Sequence, residues 1–173
     1  MPVRIRDEEG FGVVELLAAM VVLSIAVLAL MAAYDQAFFS LHTSAKTSSA
    51  ALVGNNQLEL YGSLPYASIG LDQSTLASVK ASDTVYASDE SSLSGATGTD
   101  VTISGCGASP QCLPVQTVTG SDNKSYRLET FVRDVTASGL TERVVTVIVR
   151  AASISGSPQI VTLSTAFDQG PRS

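Results

Sequence analysis

Residues 16–33 are an unbroken run of eighteen positions without a charged side chain. A helix rising about 1.5 Å per residue would carry this run across about 27 Å, close to the ~30 Å hydrocarbon layer of a bilayer. The pattern therefore predicts a membrane-spanning helix. Beyond Ala33 the helical spacing continues, but one face turns polar. Tyr34, Phe38, Leu41, Ala45, Ser48 and Leu52 recur at intervals of three or four, a stripe that predicts packing against a sheet. Asp35, Gln36, His42, Lys46 and Asn55 fall largely off it. The Ser and Thr residues at 43–44 and 47–49 lower intrinsic helicity, so this half of the helix is expected to depend on packing. Gly62 or Pro65 is the expected stop, and an uninterrupted helix from Phe11 to Tyr61 would be about 75 Å long.

Past residue 65 the pattern changes. Residues 66–104 are rich in Ser, Asp, Gly and Ala with few large apolar side chains. Residues 71–76 read as a short turn of helix and 87–99 as a flexible surface loop, either a displayed segment or a linker. Period-two alternation then takes over. Short runs at 101–103 and 113–119 precede stronger ones at 126–133, 143–150 and 160–167. Turn residues separate them at 120–123, 137–139 and 155–158. The run Arg143-Val144-Val145-Thr146-Val147-Ile148-Val149-Arg150 is the most apolar of these and is expected to be central. Short connections favour neighbouring antiparallel strands, so the expected fold is α+β, a long helix packed on an antiparallel meander. The division follows: a charged segment 1–10, a helix 11–63 with 11–34 in the membrane, and a β-rich head 64–173.

Composition narrows the function. The net charge is −6 with only ten Lys and Arg, scattered along the chain, which leaves no electrostatic footprint for nucleic acid. Charged residues are 15% of the chain, below the usual ~25%, which suits an extracellular, loop-rich surface. Cys106 and Cys112 are the only cysteines. Five residues apart in an exported chain, they read as a disulfide. No metal ligands stand near them at zinc spacing. Nucleophile elbows, phosphate-binding loops and zinc-protease motifs are absent. His42 is the only histidine, a solvated side chain in this reading, so the expectation is a non-catalytic protein without a cofactor. Asn123-Lys124-Ser125 matches a glycosylation sequon, a pattern that is common by chance.

The N-terminal run is not an ordinary signal peptide. It exceeds the ~7–15 residues of a signal's apolar region, no Ala-x-Ala site follows it, and the residues just before it are acidic. A plain anchor gives no reason for Glu15 at the mouth of the run. A charge within a bilayer costs up to ~2.5–3.5 kcal/mol on insertion scales and calls for a partner.

The stretch Gly10-Phe11-Gly12-Val13-Val14-Glu15-Leu16-Leu17 resembles the processing motif of type IV pilins and type II secretion pseudopilins. The resemblance implies cleavage by a prepilin peptidase between Gly10 and Phe11 and N-methylation of Phe11. Glu15 takes the position of the family's glutamate, the fifth residue of the mature chain. There it is expected to pair with the Phe11 ammonium of a neighbouring subunit. Arg4 and Arg6 fit a cytoplasmic leader, and the helix dipole favours Glu15 by ~0.3–1 kcal/mol. Position 12 is Gly where the family commonly has Thr, and Ala32 stands where many major pilins have a helix-bending Pro. The missing Pro moves the resemblance towards minor pilins of the V type and minor pseudopilins of the I type. Asn55-Asn56-Gln57-Leu58-Glu59-Leu60-Tyr61, with Ser63-Leu64-Pro65-Tyr66, is similar to the end of the long helix in those classes.

By this resemblance the chain is a structural subunit. Its expected partners are prepilin peptidase, other pilin or pseudopilin subunits and membrane lipid. The expected location is the cytoplasmic membrane as a precursor, then a cell-surface or periplasmic filament. The alternative is a membrane-tethered binding or adhesion module whose head recognises a surface, DNA or a secreted substrate. Some family members bind calcium, so Asp83, Asp89, Glu90 and Asp100 are either a calcium-gathering set or simply solvated acids.

Overall fold

The computed structural model describes residues 12–93, 98–107, 109–137, 140–152 and 158–168. The chain divides into two compact units between Ser44 and Ala45. Helix α1, Val13–Gly62, runs through both without interruption. It ends where expected, at Gly62, with the Ser63 amide donating to the Glu59 carbonyl at 3.1 Å.

In the first unit α1 stands by itself. Its large apolar side chains from Val13 to Leu41 are 44–80% exposed and surround the helix on every side. The best eighteen-residue window has a mean hydropathy of 2.8 and no buried residue. This is a helix long and apolar enough to cross a membrane.

The second unit is an α+β head. Its main sheet is antiparallel, with β5 (Ser125–Ala137), β6 (Leu140–Ala151) and β7 (Gln159–Phe167) as a meander. Two short strands share the outer edge of β5. β4 (Val115–Thr119) pairs with Ser125–Glu129 and β2 (Gly98–Asp100) with Arg133–Val135. Strand β6 lies between β5 and β7 as its composition predicted, and Val145, Val147, Ile148 and Val149 are all at most 1% exposed. Each such valine contributes about 1.5–3 kcal/mol on burial. The 101–103 run behaves differently. Its β3 (Thr102–Ile103) pairs in parallel with β1 (Leu71–Asp72), in a separate two-stranded sheet.

Helices cover both faces of the main sheet. The last turns of α1 pack over Val149 and Leu163: a Cβ on Gly54 would lie 2.7 Å from Leu163 Cδ1 and 3.2 Å from Val149 Cγ2. The expected stripe is therefore displaced. The buried residues of α1 are Ser49, Ala50, Val53, Gly54, Gln57 and Tyr61, whereas Tyr34, Phe38, Leu41 and Leu52 remain 49–66% exposed. The serine, alanine and glycine of this seam allow a close backbone approach to the sheet, while Leu52 stays exposed.

The other face carries two helices, where a short helical turn at 71–76 and a loop at 87–99 were expected. α2 spans Gln73–Ser82 and α3 spans Thr84–Leu93. Asp72 caps α2, its Oδ1 accepting the Thr75 amide at 2.9 Å. Asp83 caps α3, its Oδ1 accepting the Val85 and Tyr86 amides at 3.1 Å each. Side-chain caps on aspartate offset the low apolar content of both segments. Tyr86 of α3 stacks on Phe131 of β5 with ring centres 4.5 Å apart, and its hydroxyl donates to the Thr130 carbonyl at 2.9 Å.

Candidate functional site

The strongest sequence signal falls on the start of α1. Gly10 and Phe11 lie outside the described residues. Glu15 occupies the first turn of α1, and its amide donates to the Gly12 carbonyl at 2.9 Å. Its side chain is exposed, as are Val13, Val14, Leu16 and Leu17 around it. The first turn of a helix holds unpaired amides and the positive end of the dipole, so a carboxylate is favoured there. The arrangement is one anionic group on an otherwise apolar cylinder. His42, on the same helix, is exposed.

In the head, the run from Asn55 to Tyr61 acquires a physical role. Gln57 and Tyr61 lie one turn apart on the buried side of α1 and reach the disulfide loop. Gln57 Nε2 donates to the Pro110 carbonyl at 3.0 Å, and the Tyr61 hydroxyl donates to the Gln111 carbonyl. Cys106 and Cys112 are joined as expected, with Cα atoms 6.1 Å apart, inside the range a disulfide allows. Burial pushes the Tyr61 phenol well above its ordinary value, so it is a hydrogen-bond donor at every physiological pH. Asp72 also contacts this loop through the Gly107 amide. Its carboxyl is held down at about 2, first by the Ser74 hydroxyl and then by Thr75.

Sequence reasoning placed Asp83, Asp89, Glu90 and Asp100 as solvated acids or a calcium set. Both readings are corrected, because basic side chains take all four. Lys80 contacts Glu90 and Asp100, and Arg133 reaches Asp100 at 3.2 Å and Glu90 at 3.5 Å. Arg127 donates to Asp83 at 2.6 Å and to Glu129 at 2.6 Å. Arg150 pairs with Asp89 and stands 3.5 Å from Glu129. Burial opposes ionisation of Asp83, Asp89 and Asp100, but these partners overcome it and hold all three carboxyls below their usual range. Glu129 goes the other way. Burial, and then the Asp89 carboxylate beside it, raise its carboxyl well above the ordinary range despite Arg127. Among the described residues, no three His, Cys, Asp or Glu side chains gather as metal ligands.

The sequence did hold a signal for these clusters. Arg127, Glu129, Phe131 and Arg133 alternate on one face of β5, an odd composition for a covered strand unless the cover is itself charged. A further clamp was invisible. Arg143 donates to Asp134 at 2.8 and 3.0 Å and to the carbonyls of Tyr66 and Ile69 at 2.9 Å each, with the Tyr66 ring 4.4 Å from its guanidinium. It fixes the chain just after α1.

The chain matches no protein-family model, no curated protein and no solved structure in the comparisons made with each. What the geometry shows is a helix long and apolar enough to cross a membrane and a head braced by ion pairs.

Proposed function

We propose that the chain is a minor type IV pilin or pseudopilin, a non-catalytic subunit that assembles through its N-terminal helix. The observation that carries this reading is the first half of α1, apolar and exposed on all sides with Glu15 alone in its first turn. Such a surface requires lipid before assembly and other apolar helices after it. Inside a bundle of helices the carboxylate needs a cation, and the cleaved amine of a neighbour's Phe11 supplies one. Because a buried pair is costly to break, it sets the axial register between subunits. The head travels with the helix as the exposed part of the filament, on the cell surface or in the periplasm. Its disulfide suits either oxidising compartment.

Mass spectrometry of the chain, isolated from membranes of cells with a matching prepilin peptidase, tests the reading. The expected N-terminus is methylated Phe11. A chain still beginning at Met1 beside active peptidase removes the processing step and the pilin assignment with it.

A further inference from the structure

The attachment of α3 to the sheet is unusually electrostatic. Only Tyr86 and Asp89 of its ten residues are buried. Tyr86, stacked on Phe131, and the half-buried Leu93 supply its apolar contacts to the core, and ion pairs supply most of the rest. Asp83, at its N-terminus, takes Arg127 of β5. Asp89, in its middle, takes Arg150 of β6 and accepts Gln159 Nε2 of β7 at 3.2 Å. Beneath them lies Glu129 of β5, whose side chain is 0% exposed. One of its oxygens accepts from Arg127 Nε at 2.6 Å, and the other faces Arg150 Nε at 3.5 Å. Three carboxyl groups thus share two guanidiniums. Arg127 serves Asp83 and Glu129, while Arg150 serves Asp89 and Glu129.

With all five groups ionised the cluster holds one surplus negative charge out of water, an arrangement buried sites avoid by taking up a proton. Glu129 is where that proton belongs. It is the most deeply buried of the three acids, and the Asp89 carboxylate beside it can accept a hydrogen bond from its protonated form. Asp83 and Asp89 each keep a guanidinium of their own.

We propose that Glu129 is a proton-operated latch for α3: its protonated carboxyl, bonded to Asp89, keeps α3 docked on the sheet, and loss of that proton sets two carboxylates against each other and loosens the helix. The sign follows from linkage. The docked form holds the proton more tightly than a form with α3 lifted and Glu129 in water. Docking is therefore strongest below the carboxyl's ordinary range and weakens as pH rises through the raised one. Of the other groups facing Glu129, Asp83 is held below its ordinary range and Arg127 and Tyr86 above theirs, so none of these three changes charge near neutral pH. Arg150 and Asp89 face it as an ion pair, and the head contains no histidine.

Two measurements on the full chain in maltoside micelles test the latch. In hydrogen exchange corrected for the intrinsic rate, amide protection of residues 84–93 is expected to fall by up to about tenfold per pH unit between the ordinary carboxylate range and the Glu129 midpoint, and to level off above it. Protection of β6 should stay constant, and Glu129→Gln should abolish the dependence. His42→Gln should leave it unchanged. Carbon-13 NMR of the Glu129 carboxyl in the unmodified chain needs no variant, and its midpoint should lie well above the ordinary carboxylate range. A Glu129 signal that titrates with ordinary carboxylates overturns the proposal. So does α3 protection that is flat from about pH 4.5 up to the Glu129 midpoint, or an unaltered pH dependence in the Gln variant.

Discussion

The two halves of α1 obey opposite rules. Up to Leu41 the helix is as apolar as any segment of the chain, and nearly all of that surface is exposed. From Ser49 to Tyr61 its composition is mixed, and the buried positions are a serine, an alanine, a valine, a glycine, a glutamine and a tyrosine. Hydropathy alone would bury the wrong half. The first half shows apolar side chains all round, the pattern of a helix that lipid or other apolar helices can surround. The second half meets a sheet at close range, where what counts is the fit of small side chains and the placement of two hydrogen-bond donors.

The largest effect that separates the halves is expected at Glu15. Glu15→Ala should leave membrane insertion intact and the urea midpoint of the head unchanged, while incorporation into filaments is lost. Fractionation and immunoblotting of sheared filaments read the first and last, and normal incorporation would remove the proposed role of the carboxylate. Next comes Gly54→Leu. Its side chain must displace Leu163 and Val149, and overpacking of this kind destabilises by about 2–3 kcal/mol. The equal change Ala29→Leu in the other half adds one more apolar group to an exposed surface and should move the head by less than about 0.5 kcal/mol. Urea unfolding in maltoside micelles, followed by circular dichroism, compares them. Equal losses would erase the distinction between the halves.

Much of this architecture was legible because it is local. The uncharged run at 16–33, the stop at Gly62 and the strands around Arg127, Val147 and Leu163 each carry their own period. The cysteines needed only their spacing. What escaped depends on partners far away in sequence. The displaced seam of α1 is set by how closely Gly54 can approach Leu163, which no periodicity of residues 34–52 encodes. Helices α2 and α3 look like loop by composition because acids that pair with β5 and β6 replace the usual apolar stripe. Asp89 meets Arg150 across 61 positions and Arg143 meets Tyr66 across 77, so neither pair leaves a local trace. On α1, Glu15 is legible only through its motif. The local geometry places it in the first turn of the helix.

The smallest effect sharpens the second half of the comparison. Tyr61 is fully buried, and its hydroxyl is the donor to the Gln111 carbonyl. Tyr61→Phe keeps the ring and removes that one bond, a loss of about 1 kcal/mol in head stability. Gln57→Leu should be milder, because the Pro110 carbonyl retains Gln116 Nε2 at 3.3 Å. The disulfide loop supplies an independent readout. Cys112 is 0% exposed and Cys106 half-buried, so lifting the loop from α1 opens the disulfide to a soluble thiol, and Tyr61→Phe should speed reduction severalfold at neutral pH. If α1 merely fills space under the head, stability and reduction rate will follow side-chain volume, and Tyr61→Phe will change neither. A faster reduction at constant volume would mean that this half of the helix acts through where its donors point, as the first half acts through what its apolar surface meets.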